Sequence, residues 1–289
     1  MSTATGPAHG AAGGVPAELD AGQLTELLLR LLTDDDFRTR LARDGAAATA
    51  RDAAELACLA TIDHDELAFT ARRFRGNLWS GDAAAGIAAA FPRSLALLTR
   101  AGWNRERLLT AFLRSPEFAA YRALPYAGEG ISLEEAFGRF AGGPRGEGPA
   151  PAGFEPGRGG GPEPSAGGDC GPYLADTVKH ETLMALLTAL VHEATVSFRV
   201  DLPEIMATAH GYAAVHHHPP ALIAELRGAA PTAGATDGER RATVPCLYSS
   251  TPRGLAFGPV SPATAEALTV PGHPAADDVR QALLKRGLW

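Results

Sequence analysis

A chain of 289 residues is longer than one small domain needs and implies about two domains of roughly 100–150 residues. Its hydrophobic fraction of 45% suffices for a packed core, but no apolar run approaches the roughly 20 residues of a membrane span. The net charge of −7 argues against binding nucleic acid through a broad basic surface, and three scattered cysteines (Cys58, Cys170, Cys246) without a CxxC pair argue against a disulfide framework.

Residues 1–20 read as a flexible tail; the first 17 lack Lys, Arg and a leucine-rich core, unlike a secretory signal. A cytoplasmic protein is expected. Residues 21–141 read as a helical domain. Leu24, Leu27, Leu28 and Leu31 recur at helical spacing, and Thr33 is the expected cap of a second helix that opens on Asp34, Asp35 and Asp36 and carries Phe37 and Leu41. Helices are predicted over about 52–60, after Asp63, over 83–99, over 105–113 and over 117–123, with Pro92 and Gly102 kinking or separating these pieces. Ser132-Leu133-Glu134-Glu135 is a capping box that starts another, with Phe137 and Phe140.

The stretch 142–168 holds 11 Gly and 6 Pro with Phe154 as its one large apolar residue. Such a composition cannot offset its ordering entropy, which predicts a disordered linker. Residues 169–289 then read as an α+β domain. A long helix is predicted over 173–195, polar on one face, with two shorter helices over 203–227. Residues 244–249 and 254–260 form a hairpin across Ser250-Thr251-Pro252-Arg253. Ser261-Pro262 opens a helix to Leu268, and a last helix over 276–286 stops at Gly287, with Leu288 and Trp289 packing back. The expected class is mostly α, with a helical first domain and a C-terminal domain of winged or PqqD-like style.

Chemical motifs are sparse. There is no GxSxG, HExxH, Walker or strand-borne GxGxxG pattern. His180 and His192 are 12 positions apart, hence about 120° apart around a helix and about 18 Å along it, which is wrong for a shared ion. His180-Glu181 and His192-Glu193 therefore read as solvated or partner-facing. His216-His217-His218 alternates faces if extended, so at most two can share an ion, and no acid lies near in sequence. No metal site and no cofactor are assigned. Charge is more informative: residues 21–65 hold 5 Arg against 9 acids, whereas residues 66–125 hold 9 Arg against 4. Arginine forks of this kind suit an acidic partner.

Several stretches resemble one family. Leu31-Leu32-Thr33-Asp34-Asp35-Asp36-Phe37-Arg38, with Ala60-Thr61-Ile62-Asp63 and Ala71-Arg72-Arg73-Phe74, is similar to a helical module in partner regions of the multinuclear non-haem iron-dependent oxidative enzymes (MNIOs), which modify ribosomally made peptides. Arg73-Phe74-Arg75-Gly76-Asn77-Leu78 and Ala90-Phe91-Pro92-Arg93-Ser94-Leu95 resemble runs of the stand-alone MNIO partners, the methanobactin and bufferin partner proteins among them. Tyr173-Leu174-Ala175-Asp176 with Glu181, and Cys246-Leu247-Tyr248 through Val260-Ser261-Pro262-Ala263, resemble that family's second domain.

The resemblance implies a non-catalytic partner that binds a precursor peptide and presents it to an MNIO-type iron enzyme. Docking is expected at Arg72, Arg73, Arg75, Asn77, Phe91 and Pro92, and peptide binding at Leu247, Tyr248, Leu255 and Phe257, by strand addition to the hairpin. One alternative is a DNA-binding transcriptional regulator, suggested by a label on the family's first domain and by the winged tail. Its terminal module is nearly charge-balanced, with Arg253, Arg280, Lys285 and Arg286 against Glu266, Asp277 and Asp278, so nucleic acid is not the expected partner. A second alternative is a metal-dependent peptide-modifying enzyme using His180, His192, His210 and His216–His218.

Overall fold

The computed structural model describes residues 18–81, 86–123, 131–143, 173–192, 205–228 and 242–289. The chain is mostly α-helical with a C-terminal α+β region, and it divides into two compact units, Met1–Arg75 and Gly76–Trp289. The expected tail and linker lie almost wholly outside the described residues.

The first unit is helical. α1 (Ala21–Thr33) starts at a capping box in which Asp20 accepts from the Gln23 amide and the Gln23 side chain accepts from that of Asp20. α2 (Asp35–Asp44), α3 (Ala46–Thr49) and α4 (Ala53–Leu59) follow, and the division after Arg75 falls within α5 (His64–Ser80). Asp34, not Thr33, caps α2, because the Thr33 hydroxyl is committed to the Leu29 carbonyl in the last turn of α1. The predicted stripe is right where it matters: Leu27, Leu31, Phe37, Leu41 and Leu59 form the core, while Leu24 and Leu28 stay exposed. Arg30 Nη1 reaches buried Glu55 at 2.6 Å, and Arg75 Nη2 reaches Asp35 at 2.6 Å.

In the second unit, α6 (Ile87–Ala90) stops at Phe91, and Pro92 is the first residue of α7 (Pro92–Arg100). A proline there loses a donor that a helix N-terminus leaves unpaired anyway. The helical stretch expected over 83–99 is thus separated at Pro92, one of the two outcomes expected there. α8 (Arg105–Leu113), α9 (Pro116–Ala123) and α10 (Leu133–Gly142), capped by Ser132 as predicted, close around phenylalanines. The rings of Phe91 and Phe137 lie 4.9 Å apart, those of Phe112 and Phe137 5.3 Å, and those of Phe112 and Phe118 5.2 Å.

α11 (Leu174–His192) packs against α7 and α10 on one side and against a sheet on the other. The polar face expected of it is largely absent, since Val178, Thr182, Leu183, Leu186 and Leu187 are buried around its circumference. The sheet is an antiparallel meander of β1 (Ile205–Thr208), β2 (Gly211–His218), β3 (Val244–Thr251) and β4 (Gly254–Pro259), in that order. Ala214, Cys246 and Tyr248 face Leu183 and Leu187 of α11. Ala213, Val215 and Leu247 face the opposite way, onto α13 (Pro262–Thr269), α14 (Ala276–Lys285) and Trp289.

One expectation is corrected. Residues 203–227 are not two helices: they supply β1, β2 and only one helix, α12 (Pro220–Leu226), so the winged hairpin is half of a four-stranded sheet. The two compact units divide between Arg75 and Gly76, and α10 and α11, which flank the Gly/Pro-rich run, pack on each other.

Candidate functional site

β2 ends in His216-His217-His218. Strand alternation turns His216 and His218 to the α11 side together with Ala214, and leaves His217 exposed on the other. Asp176 and His180, four residues apart on α11, share the helix face that meets them. Opposite, on β3, stands Tyr248, with no exposed surface and in register with Ala214 and with Phe257 of β4.

These side chains form one cluster. The Tyr248 hydroxyl lies 2.9 Å from Nδ1 of His180 and 2.5 Å from Nε2 of His218. Nδ1 of His218 lies 3.9 Å from Oδ1 of Asp176, and the rings of His216 and His218 are 4.8 Å apart. Phe257 covers the site, with its ring 4.8 Å from both His180 and Tyr248. One ligand atom each from Asp176, His216 and His218 fall within 4.8 Å of one another. Burial, then the nearby His218 and Arg93, pushes His180 down to about 4, so it is a neutral imidazole at pH 7. Burial pushes the Tyr248 phenol far up, and the Cys246 thiol up to about 11, which keeps that cysteine a poor nucleophile.

Beside the cluster, Glu181 points away from the sheet. Its two carboxylate oxygens accept the backbone amides of Arg93 and Ser94, at 2.7 and 2.9 Å, and so cap α7. His180 and Glu181, expected to be solvated or partner-facing, are both working inside the fold.

The expected docking and peptide residues scatter. Arg72, Arg73, Asn77 and Pro92 are exposed, whereas Arg75 is buried in an ion pair with Asp35 and Phe91 is in the aromatic core. Leu247 and Tyr248 lie on a central strand and are buried, so neither offers a surface to a peptide. Leu255 and Phe257 belong to β4, an edge of the sheet among the described residues, and are partly exposed. His210 sits in the turn before β2, at the far end from His218, and the side chain of His192 lies outside the described part.

The sequence already contained the alternation of the histidine run. It did not indicate Asp176, which is brought to the run only by the packing of α11 on the sheet. Among the described residues no helix is long and apolar enough to cross a membrane. No family model matches the chain, and neither the curated proteins nor the solved structures include a significant match.

Proposed function

We propose that this chain is a non-catalytic recognition subunit, which binds a ribosomally made precursor peptide and presents it to an MNIO-type iron enzyme in the cytoplasm. The observation that supports this best is β4, an edge strand among the described residues, which carries the partly exposed apolar side chains Leu255 and Phe257. The Val260 amide donates to the Pro245 carbonyl, so by antiparallel alternation the amides of Leu255 and Phe257 point away from β3. An extended peptide laid along β4 meets two outward donors that no described residue engages, and two apolar side chains, as strand addition requires. The resemblance of the Arg73–Leu78 and Ala90–Leu95 stretches to MNIO partners is the reason for naming that enzyme class, and exposed Arg72 and Arg73 offer it a cationic face.

The test is isothermal titration of this chain with an MNIO-type enzyme and that enzyme's precursor peptide. A ternary complex at micromolar concentration is expected. Leu255→Pro removes one outward donor without removing a ladder bond, and should weaken peptide binding at least about tenfold while the far-ultraviolet circular dichroism stays unchanged. No complex between folded proteins would refute the reading. Undiminished peptide binding by Leu255→Pro would remove β4 from it.

A further inference from the structure

We infer that Asp176, His216 and His218 hold a divalent transition-metal cation of the zinc class. The inference stands apart from peptide recognition, since it rests on the α11–β2 junction and not on the β4 edge.

Tyr248 has one hydroxyl proton and two imidazole neighbours, His180 and His218. With the phenol proton donated to Nδ1 of His180, Nε2–H of His218 donates to the phenol oxygen, and the lone pair of His218 is on Nδ1. That ring nitrogen, Nδ1, is buried with no hydrogen-bond partner among the described residues, on a residue with no exposed surface. A buried polar atom without a partner is uncommon and calls for an explanation. Its nearest acidic neighbour, Oδ1 of Asp176, is 3.9 Å away, too far for a hydrogen bond. A cation between them would use the nitrogen lone pair and the carboxylate together.

The surroundings suit such an ion. Two imidazoles and a carboxylate select zinc-like cations over magnesium or calcium, which prefer oxygen. Ligand atoms about 2.0–2.2 Å from a tetrahedral ion stand roughly 3.4 Å from each other. The three candidate atoms already lie within 4.8 Å, and Asp176 and His216 are only partly buried, so side-chain rotation can close the difference. Metal-bound histidines characteristically engage their second nitrogen with an oxygen that fixes the ring, and Tyr248 already does this for His218. Three protein ligands leave a fourth position for water or an incoming donor.

The experiment uses the full-length chain without an affinity tag, titrated with Co2+ while the visible d–d absorption is followed, and then with Zn2+ in competition. One equivalent of Co2+ should bind and be displaced by Zn2+ but not by Mg2+. His218→Ala should abolish the band. His216→Ala and Asp176→Asn, at partly exposed positions that tolerate change, should weaken binding at least about tenfold, and Tyr248→Phe by about 10–100-fold. His217→Ala, on the opposite face of the strand, should bind as the parent does. Circular dichroism of each variant separates lost binding from lost folding; if His218→Ala does not fold, the Asp176 and His216 variants decide. Absence of binding by the folded parent would overturn the inference. So would a band that depends on His217 as much as on His216, or one unaffected by Asp176→Asn and His216→Ala, since either marks a surface histidine run capturing metal.

Discussion

Arg72 and Arg75 are three residues apart on α5, one turn of a helix, yet one is exposed and the other is 6% exposed and paired with Asp35. Charge reversal therefore separates them. Arg72→Glu with Arg73→Glu should leave stability within about 0.5 kcal/mol while weakening the complex with an acidic partner. Arg75→Glu should cost at least about 1 kcal/mol by setting two acids together, as measured by urea unfolding. Equal stability of the two variants would contradict the buried pair. Glu181 gives a second single-residue test. Burial raises its pKa above the ordinary 4.5 despite the two amides that donate to it. The folded state thus holds the proton more tightly than the unfolded one, so this group's contribution to stability is greatest below pH 4.5 and is lost as the pH rises through the raised value. Glu181→Gln should remove this falling component, so stability across that window should rise more steeply with pH, or fall less, in the variant than in the parent. An unchanged slope would assign the effect to other carboxyls.

At the scale of elements, α10 and α11 approach closely at Gly138. A Cβ added there would sit 3.2 Å from Cβ and Cγ2 of Thr182 and closer still to its hydroxyl. Helix propensity alone favours alanine over glycine by about 1 kcal/mol, but here the crowding should win. Gly138→Ala is expected to destabilise by about 1–3 kcal/mol, and adding Thr182→Ala should recover most of the loss; a stabilised single variant would show that the helices can move apart. Elements with strong local signals were legible in the sequence. α8 has its predicted bounds, Arg105–Leu113, and the β3–β4 hairpin and the Ser261-Pro262 start of α13 are where turn and cap chemistry put them. β1 and β2 were missed because Met206-Ala207-Thr208 and Tyr212-Ala213-Ala214-Val215 are alanine-rich, with weak local preference. Their strand state comes from pairing with β3, a tertiary contact. The site divides in the same way: the alternation of His216 and His218 is local, whereas Asp176 and Tyr248 join them only through packing.

For the molecule as a whole, the Gly/Pro-rich run was expected to separate two bodies, but the helices on either side of it are packed partners. A specific protease site introduced within that run, once cut, should yield two fragments that co-elute as one species in size-exclusion chromatography and part only in denaturant. Separation under native conditions would show that the α10–α11 contact is too weak to hold without the covalent link. That contact also bears on how this unit opens. α11 lies between the helices that pack around the phenylalanines and the inner face of the sheet, and Glu181 ties it to the first turn of α7. Neither layer can detach without exposing the apolar surface of the other, so the two should behave as a single cooperative block in hydrogen exchange. A ligand that fastened α11 to β2 would then slow exchange at the amides of α10, which it never touches.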